Sequence, residues 1–254
     1  MAITPPGPPP PGPPAASPAP PWRTAAFAAG VVAVVALTLV LAAAARNQGH
    51  GPSDTRTVSV AADSVRTVDL QGPPGQLNVV AAQTSRVTLS GPVHWTGRHA
   101  VIVTGPRLAD GVLHLAYRCA AQSPCTGRLR LVVPRRCGIV LRQPSGHVIV
   151  TGLAGPLRIS ARSVDIRAAG LRSPSLAATL TSGHLSAWFV SPPGRVGLTL
   201  VSAQATLHLP ATVPYRVGQQ VTSGYVHAGI PQASNADRTI TARIDSGELE
   251  LLSR

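Results

Sequence analysis

The sequence predicts an all-β fold, a β-solenoid-like stack of about six two-strand repeats with an irregular β cap, preceded by one transmembrane helix. Three observations carry this. Six serines mark a slowly lengthening period: Ser145, Ser163, Ser182, Ser202, Ser223 and Ser246. Around each of them apolar residues alternate with their neighbours, the pattern of a half-buried strand. Thr24 to Ala45 is a run without a charged side chain. At 1.5 Å per residue such a run crosses a hydrocarbon core of about 30 Å.

The repeat can be counted outward from each serine. Three residues after it stand Val148, Ile166, Leu185, Ala205, Val226 and Leu249; five after it stand Val150, Ala168, Ala187, Leu207, Ala228 and Leu251. The positions six, four and two before it are apolar too, except at Gln143 and Gln219. From two before to three after is an odd step, so a straight strand would turn its inward face outward there. The chain must bend, and Gly146, Gly183, Gly224 and Gly247 follow four of the serines with a permissive backbone. One such repeat cannot bury its face alone, whereas stacked repeats share a core about 4.8 Å per layer. A sandwich of antiparallel hairpins is the rival. The uniform period and single corner chemistry favour the stack.

The repeats SGHVIV, SGHLSA, SGYVHA and SGELEL, ending in ITARIDSGELELL, together with the opening VDLQGPPGQLNVVAAQTSRVTLSG, resemble the "putative adhesin" family, a domain of unknown function in bacterial membrane and envelope proteins. The resemblance covers residues 57–254. It implies an all-β, solenoid-like fold in a membrane or envelope setting, with no catalytic residues to carry over. The chain departs from the pattern at Ser163-Val164 and Ser202-Ala203, where glycine is missing.

Residues 57–137 also alternate, without a fixed period, and read as an N-terminal cap continuous with the repeats of 138–254; terminal repeats are expected to be atypical. Residues 46–56 read as a linker. The apolar run at 24–45 has no polar face for a soluble core. Its rival reading is a cleaved signal peptide ending at Ala43-Ala44-Ala45, against which stands its length. Residues 1–23 hold a Pro-rich tail, PPGPPPPGPP within it, which favours polyproline II and disorder, or a ligand for a proline-reading domain. Arg46, Arg56 and Arg66 beyond the helix pull the C-terminal part inward. Large domains translocate regardless of charge, however, and the cysteines favour an oxidising side. The expected topology is tail cytoplasmic and domain extracytoplasmic.

The three cysteines are Cys119, Cys125 and Cys137. Cys119 and Cys125 bracket the tip of a predicted hairpin, and a disulfide between them is the leading reading in an exported domain. Cys137 is then a buried free thiol, or exchanges into a pairing with either. Zinc would need a fourth ligand, and no CxxC is present.

The net charge is +13, all 22 basic residues are arginine, and only nine are acidic. A catalytic lysine is therefore excluded, and clustered carboxylates are scarce. Arg118, Arg128, Arg130, Arg135, Arg136 and Arg142 lie close in sequence and form a candidate basic face for anionic wall polymers, phospholipid heads or an acidic protein. The plain alternative is a solvated surface. Extracytoplasmic placement and few aromatics argue against nucleic acid. His147, Asp165 and His184 share one offset from their serines and form a candidate polar ladder, either a metal or proton site or simply an exposed column.

No GxSxG elbow occurs, and a recurring Ser-Gly marks a corner, not a nucleophile. Asp245, Glu248 and Glu250 in the last repeat would protect a terminal strand from edge pairing. The reading is a single-pass membrane protein whose extracytoplasmic domain serves adhesion, envelope binding or scaffolding without catalysis or cofactor. A carbohydrate-active enzyme on the same fold and an envelope-stress sensor are the alternatives.

Overall fold

A computed structural model of the chain describes residues 53–96, 102–119 and 124–254. The expected tail (1–23), transmembrane helix (24–45) and most of the linker (46–56) lie outside the described residues. The described chain is all-β and contains no helix. Seven shorter strands come first: β1 (Ser53–Ala61), β2 (Thr67–Gln71), β3 (Gly75–Ala82), β4 (Arg86–Trp95), β5 (Ile102–Ala109), β6 (Val112–Arg118) and β7 (Cys125–Pro134). Six long ones follow: β8 (Gly138–Thr151), β9 (Leu157–Leu171), β10 (Ser175–Phe189), β11 (Arg195–Leu209), β12 (Arg216–Gly229) and β13 (Thr239–Ser253). All thirteen join one sheet, whose main path runs β1-β4-β7-β3-β8-β9-β10-β11-β13-β12.

The long strands pair in parallel with the marker serines aligned: Ser145 with Ser163, Ser163 with Ser182, Ser182 with Ser202, and Ser202 and Ser223 each with Ser246. Each repeat is one continuous bent strand of 14 or 15 residues, not two separate strands. The hydrogen-bond ladder runs through the corner because the bend is absorbed by glycine. Gly146, Gly183 and Gly224 have φ of +115°, +104° and +119°, a region that side chains disfavour. A Cβ on Gly183 would meet the carbonyl oxygen of Val164 on the neighbouring strand.

Val164 and Ala203, the two departures from Ser-Gly, are both buried. Along the stack the corner residues run Gly146, Val164, Gly183, Ala203, Gly247 and Gly224. The two side chains are buried in the core, and the glycines beside them let the backbones approach closely: a Cβ on Gly183 or Gly247 would meet the backbone of Val164 or Ala203. They fill the inside of the bend, so the missing glycines are part of its packing.

The stack extends into the region expected to be irregular. β2 pairs with the first limb of β8, and β3 with its second limb, with Gly75 aligned to Gly146. β6 and β7 lie alongside β2 and β3 in the same way. Here the corners are Gly72-Pro73-Pro74-Gly75 and the Cys119–Cys125 segment in place of Ser-Gly. β4 and β5 then cover β7 and β6 in antiparallel fashion, and β1 covers β4.

The inward rows of both limbs are buried almost completely in every long strand but β12, and a third row closes the core from the strand ends and the connections that follow them. Leu153, Leu171, Phe189 and Leu209 are fully buried. Their segments bond from layer to layer: Ala154 N–H donates to the Arg135 carbonyl, Arg172 to Leu153 and Val190 to Leu171, each at 2.8 Å. The strand ends and connections therefore contribute a wall of their own.

The last repeat is not at the edge. β13 inserts between β11 and β12, leaving β12 paired on one side only. The expectation that Asp245, Glu248 and Glu250 guard a terminal strand is corrected accordingly. The inward row of β13 is Ile240, Ala242, Ile244, Leu249 and Leu251, all buried. The matching row of β12 is Val217, Gln219, Val221, Val226 and Ala228, all half-buried or exposed. The more apolar strand takes the interior place, where burial contributes more.

Candidate functional site

Outward side chains of the two limbs make two faces. On the first-limb face the strand order β6-β2-β8-β9-β10 sets Arg118, Gln71, Arg142, Arg162 and Thr179 around an open cleft of about 580 Å³. The Arg118 guanidinium donates to Gln71 Oε1 from Nε at 3.2 Å and from Nη2 at 3.0 Å. Arg142 donates to Asp69, which His114 Nδ1 also approaches at 3.3 Å. This hydrogen bond to Asp69 holds Arg142 above its ordinary pKa. Three guanidiniums thus line one cleft, and only Asp69 offsets them nearby.

Beneath the cleft lies Gln143, the first break in the apolar columns. It is buried, and its Nε2 donates to the Pro73 carbonyl at 2.6 Å and the Ser145 carbonyl at 3.1 Å. The amide thereby satisfies carbonyls where two corners meet, which a hydrocarbon could not do. A side chain at Gly72 would collide with Gln143 Oε1. Gln219, the second break, sits exposed on the edge strand β12 and has no core to face.

The six sequence-adjacent arginines do not share one face. Arg118 and Arg142 belong to the first-limb cleft. Arg128 and Arg130 stand on β7, aligned through Gln76 and Asn78 with His147 and Ile149 on the second limb. Arg135 and Arg136 are exposed in the turn before β8. Arg162, which the sequence reading did not single out, completes the cleft instead. Its signal was positional: it precedes its serine by one residue, as Arg142 precedes its own by three.

His147, Asp165 and His184 do form a column, on adjacent strands in register. His147 Nε2 stands 3.7 Å from Asp165 Oδ2, with side chains 66% and 58% exposed. Pairs so exposed contribute little, about 0–1 kcal/mol. Among the described residues no three His, Cys, Asp or Glu side chains converge to hold a metal ion. The corner serines bond to one another and to backbone: Ser163 and Ser182 hydroxyls lie 3.1 Å apart, and Ser182 Oγ donates to the Arg162 carbonyl at 3.0 Å. That is the chemistry of a corner.

Cys119 and Cys125 are joined in a disulfide between the end of β6 and the start of β7; these strands pair with β2 and β3 and not with one another, so the expected hairpin is corrected to a corner between two limbs. Cys137 is a buried free thiol. Burial pushes its pKa up from 9.0 to about 11, against a smaller opposing backbone hydrogen bond from Val68. The folded state therefore disfavours the thiolate. Its stabilising share is complete below about pH 9 and falls as pH rises toward 11. Urea midpoints are expected to drop between pH 8 and pH 10.5, and part of that drop should vanish in Cys137→Ala. An identical drop in the variant would show that the thiol is not responsible.

No family model matches the chain, and no curated protein matches it. Solved structures do. A "putative cell adhesion protein" from Clostridium sporogenes aligns at 10% identity and TM-score 0.44 over 80% of this chain and 100% of its own. A "putative adhesin" from Bacteroides fragilis aligns at 11% identity and TM-score 0.36 over 78% of this chain and 97% of its own. A "putative lipid binding protein" from Parabacteroides distasonis aligns at 9% identity and TM-score 0.36 over 81% and 98%. The Bacteroides fragilis neighbour carries the description of the family that the Ser-Gly repeats resemble.

Proposed function

We propose that this chain is a single-pass membrane protein whose extracytoplasmic domain is a non-catalytic, β-solenoid-like binding module for anionic polymers of the cell envelope. The observation that carries the reading is the cleft formed by Arg118, Arg142 and Arg162. Guanidiniums recognise phosphate and carboxylate groups through paired N–H donors. Three guanidiniums on β6, β8 and β9 present such donors together to successive anionic groups of a polymer. The solenoid reading is supported by bent strands stacked in register and by the third wall. Extracytoplasmic placement is supported by the Cys119–Cys125 disulfide, and the membrane span by the apolar run at 24–45.

The purified full chain is expected to bind a glycerol-phosphate polymer in a salt-sensitive manner and to ignore a neutral glucan. Arg118→Ala combined with Arg162→Ala should weaken that binding roughly tenfold or more, since charge-assisted hydrogen bonds contribute about 1.5–3 kcal/mol each. Unchanged binding would remove the cleft from the account, and release of polymer fragments would overturn the non-catalytic reading. Placement is read separately with Ala169→Cys, an exposed position, which should react with an impermeant maleimide on intact cells.

A further inference from the structure

We propose that β12 is a docking edge for a second copy of this chain, pairing antiparallel with its counterpart about a two-fold axis through the Ser223–Gly224 corner. β12 runs for 14 residues and is paired only to β13. Native proteins blunt exposed edges with charge, proline or brevity. This edge has little of these: its one arginine, Arg216, stands at the start, no Asp, Glu or Arg follows before Asp237, and no proline lies within the strand. Val221, on the inward row, is 37% exposed, so the core is left open at this end.

The geometry selects the occupant. Two like edges face one another only when one copy is turned over. A two-fold axis bisecting the corner does this while keeping core side on core side. It sets Val221 opposite Val226 of the other copy, Gln219 opposite Ala228, Gln220 opposite His227 and Thr222 opposite Tyr225. The phase slip at the corner makes this work. Inward positions are odd-numbered before it and even-numbered after it, so inward side chains of one copy oppose inward side chains of the other. The bends coincide because the limbs on either side of the corner are nearly equal in length. The row of half-buried Val217, Val226 and Ala228 and exposed Val221 then becomes an internal layer.

Charge agrees with this arrangement. Near the edge the outward residues of the first limb include Arg195, Arg216 and Arg243, and those of the second limb Glu248 and Glu250. Asp245 lies next to the corner, close to the axis. The Tyr225 phenol, hydrogen-bonded to Glu248, is held above its ordinary pKa and stays a neutral donor at the seam. The two-fold lays the basic limb of each copy beside the acidic limb of the other, whereas a same-direction pairing would oppose arginine to arginine.

The test uses the full chain carrying Gln220→Cys and His227→Cys together, positions that face one another only across the dimer. Mild oxidation is expected to yield a reducible species at twice the 26.0 kDa chain mass. The matching pair on the interior strand β10, Thr179→Cys with Ser186→Cys, should yield none. Adding Val221→Lys to the edge pair should abolish the cross-link, while adding Ile149→Lys, exposed on β8 away from the edge, should not. Equal cross-linking of both pairs, or none of the edge pair, overturns the proposal. The second outcome includes the case in which β12 takes a strand from a different protein.

Discussion

Replacing Gly146 by alanine is expected to cost roughly 2–4 kcal/mol of stability, through backbone strain and steric conflict together. Gly146 sits at φ +115°, and its Cβ would meet the carbonyl oxygen of Gly75 on the adjacent strand. Neither partner can yield, because both contacts are backbone inside a continuous ladder. The lost stability would appear as a lower urea midpoint with an unchanged slope. Gly218→Ala is the counterpart. Gly218 lies in a strand at ordinary φ with nothing within 4 Å of a new Cβ, and its substitution should change stability by less than about 0.5 kcal/mol. Equal effects at the two sites would mean that the corners are looser than the stack requires.

The second large effect is expected at Phe189, where alanine should cost about 3–5 kcal/mol. Phe189 is fully buried at the end of β10 and aligned with Leu171 on β9, within the third wall of the core. It is one of only two phenylalanines, so neighbouring small side chains cannot refill its volume. Val190, the next residue, is 40% exposed, and Val190→Ala should fall within about 0.5 kcal/mol of the parent. A mild Phe189→Ala would show that the third wall adds little to the core. Thermal melting of the pair gives the same contrast independently.

These two sites differ in how openly the sequence announced them. The corner glycines stood at a fixed offset from each serine, so the bend, both inward rows and the alignment of strands could all be read from spacing. The third wall could not. Leu153 is eight residues after its serine and Phe189 seven after its own, because the connections vary in length and share no common frame. Val164 and Ala203 looked like decay of the motif, since the code of the corner is written across neighbouring strands. One strand's glycine makes room for the next strand's backbone carbonyl, and a reading along the chain cannot see that exchange.

Charge followed the same rule. Arginines adjacent in the chain fell on different limbs, because Arg128 and Arg142 belong to strands that meet β3 and β2 on opposite sides of a bend. Arg118 and Arg142 found Arg162 in a later repeat. The ladder of His147, Asp165 and His184 was legible because equal offsets become neighbours wherever strands stack in register. The inserted place of β13 was hidden for a different reason. Chain order gives the default order of layers, and only the contrast between the inward rows of β12 and β13 argues against it.

The chain enters the described domain at β1, and its open edge is β12, at the two extremes of the strand path. Nine steps of about 4.8 Å separate them, roughly 43 Å along the sheet. Duplicating or deleting one interior repeat would shift this span by a single step and leave both extremities chemically untouched. The domain is thus a yardstick whose length can change by gene-level copying of some twenty residues while the chemistry of its two end strands stays as it is.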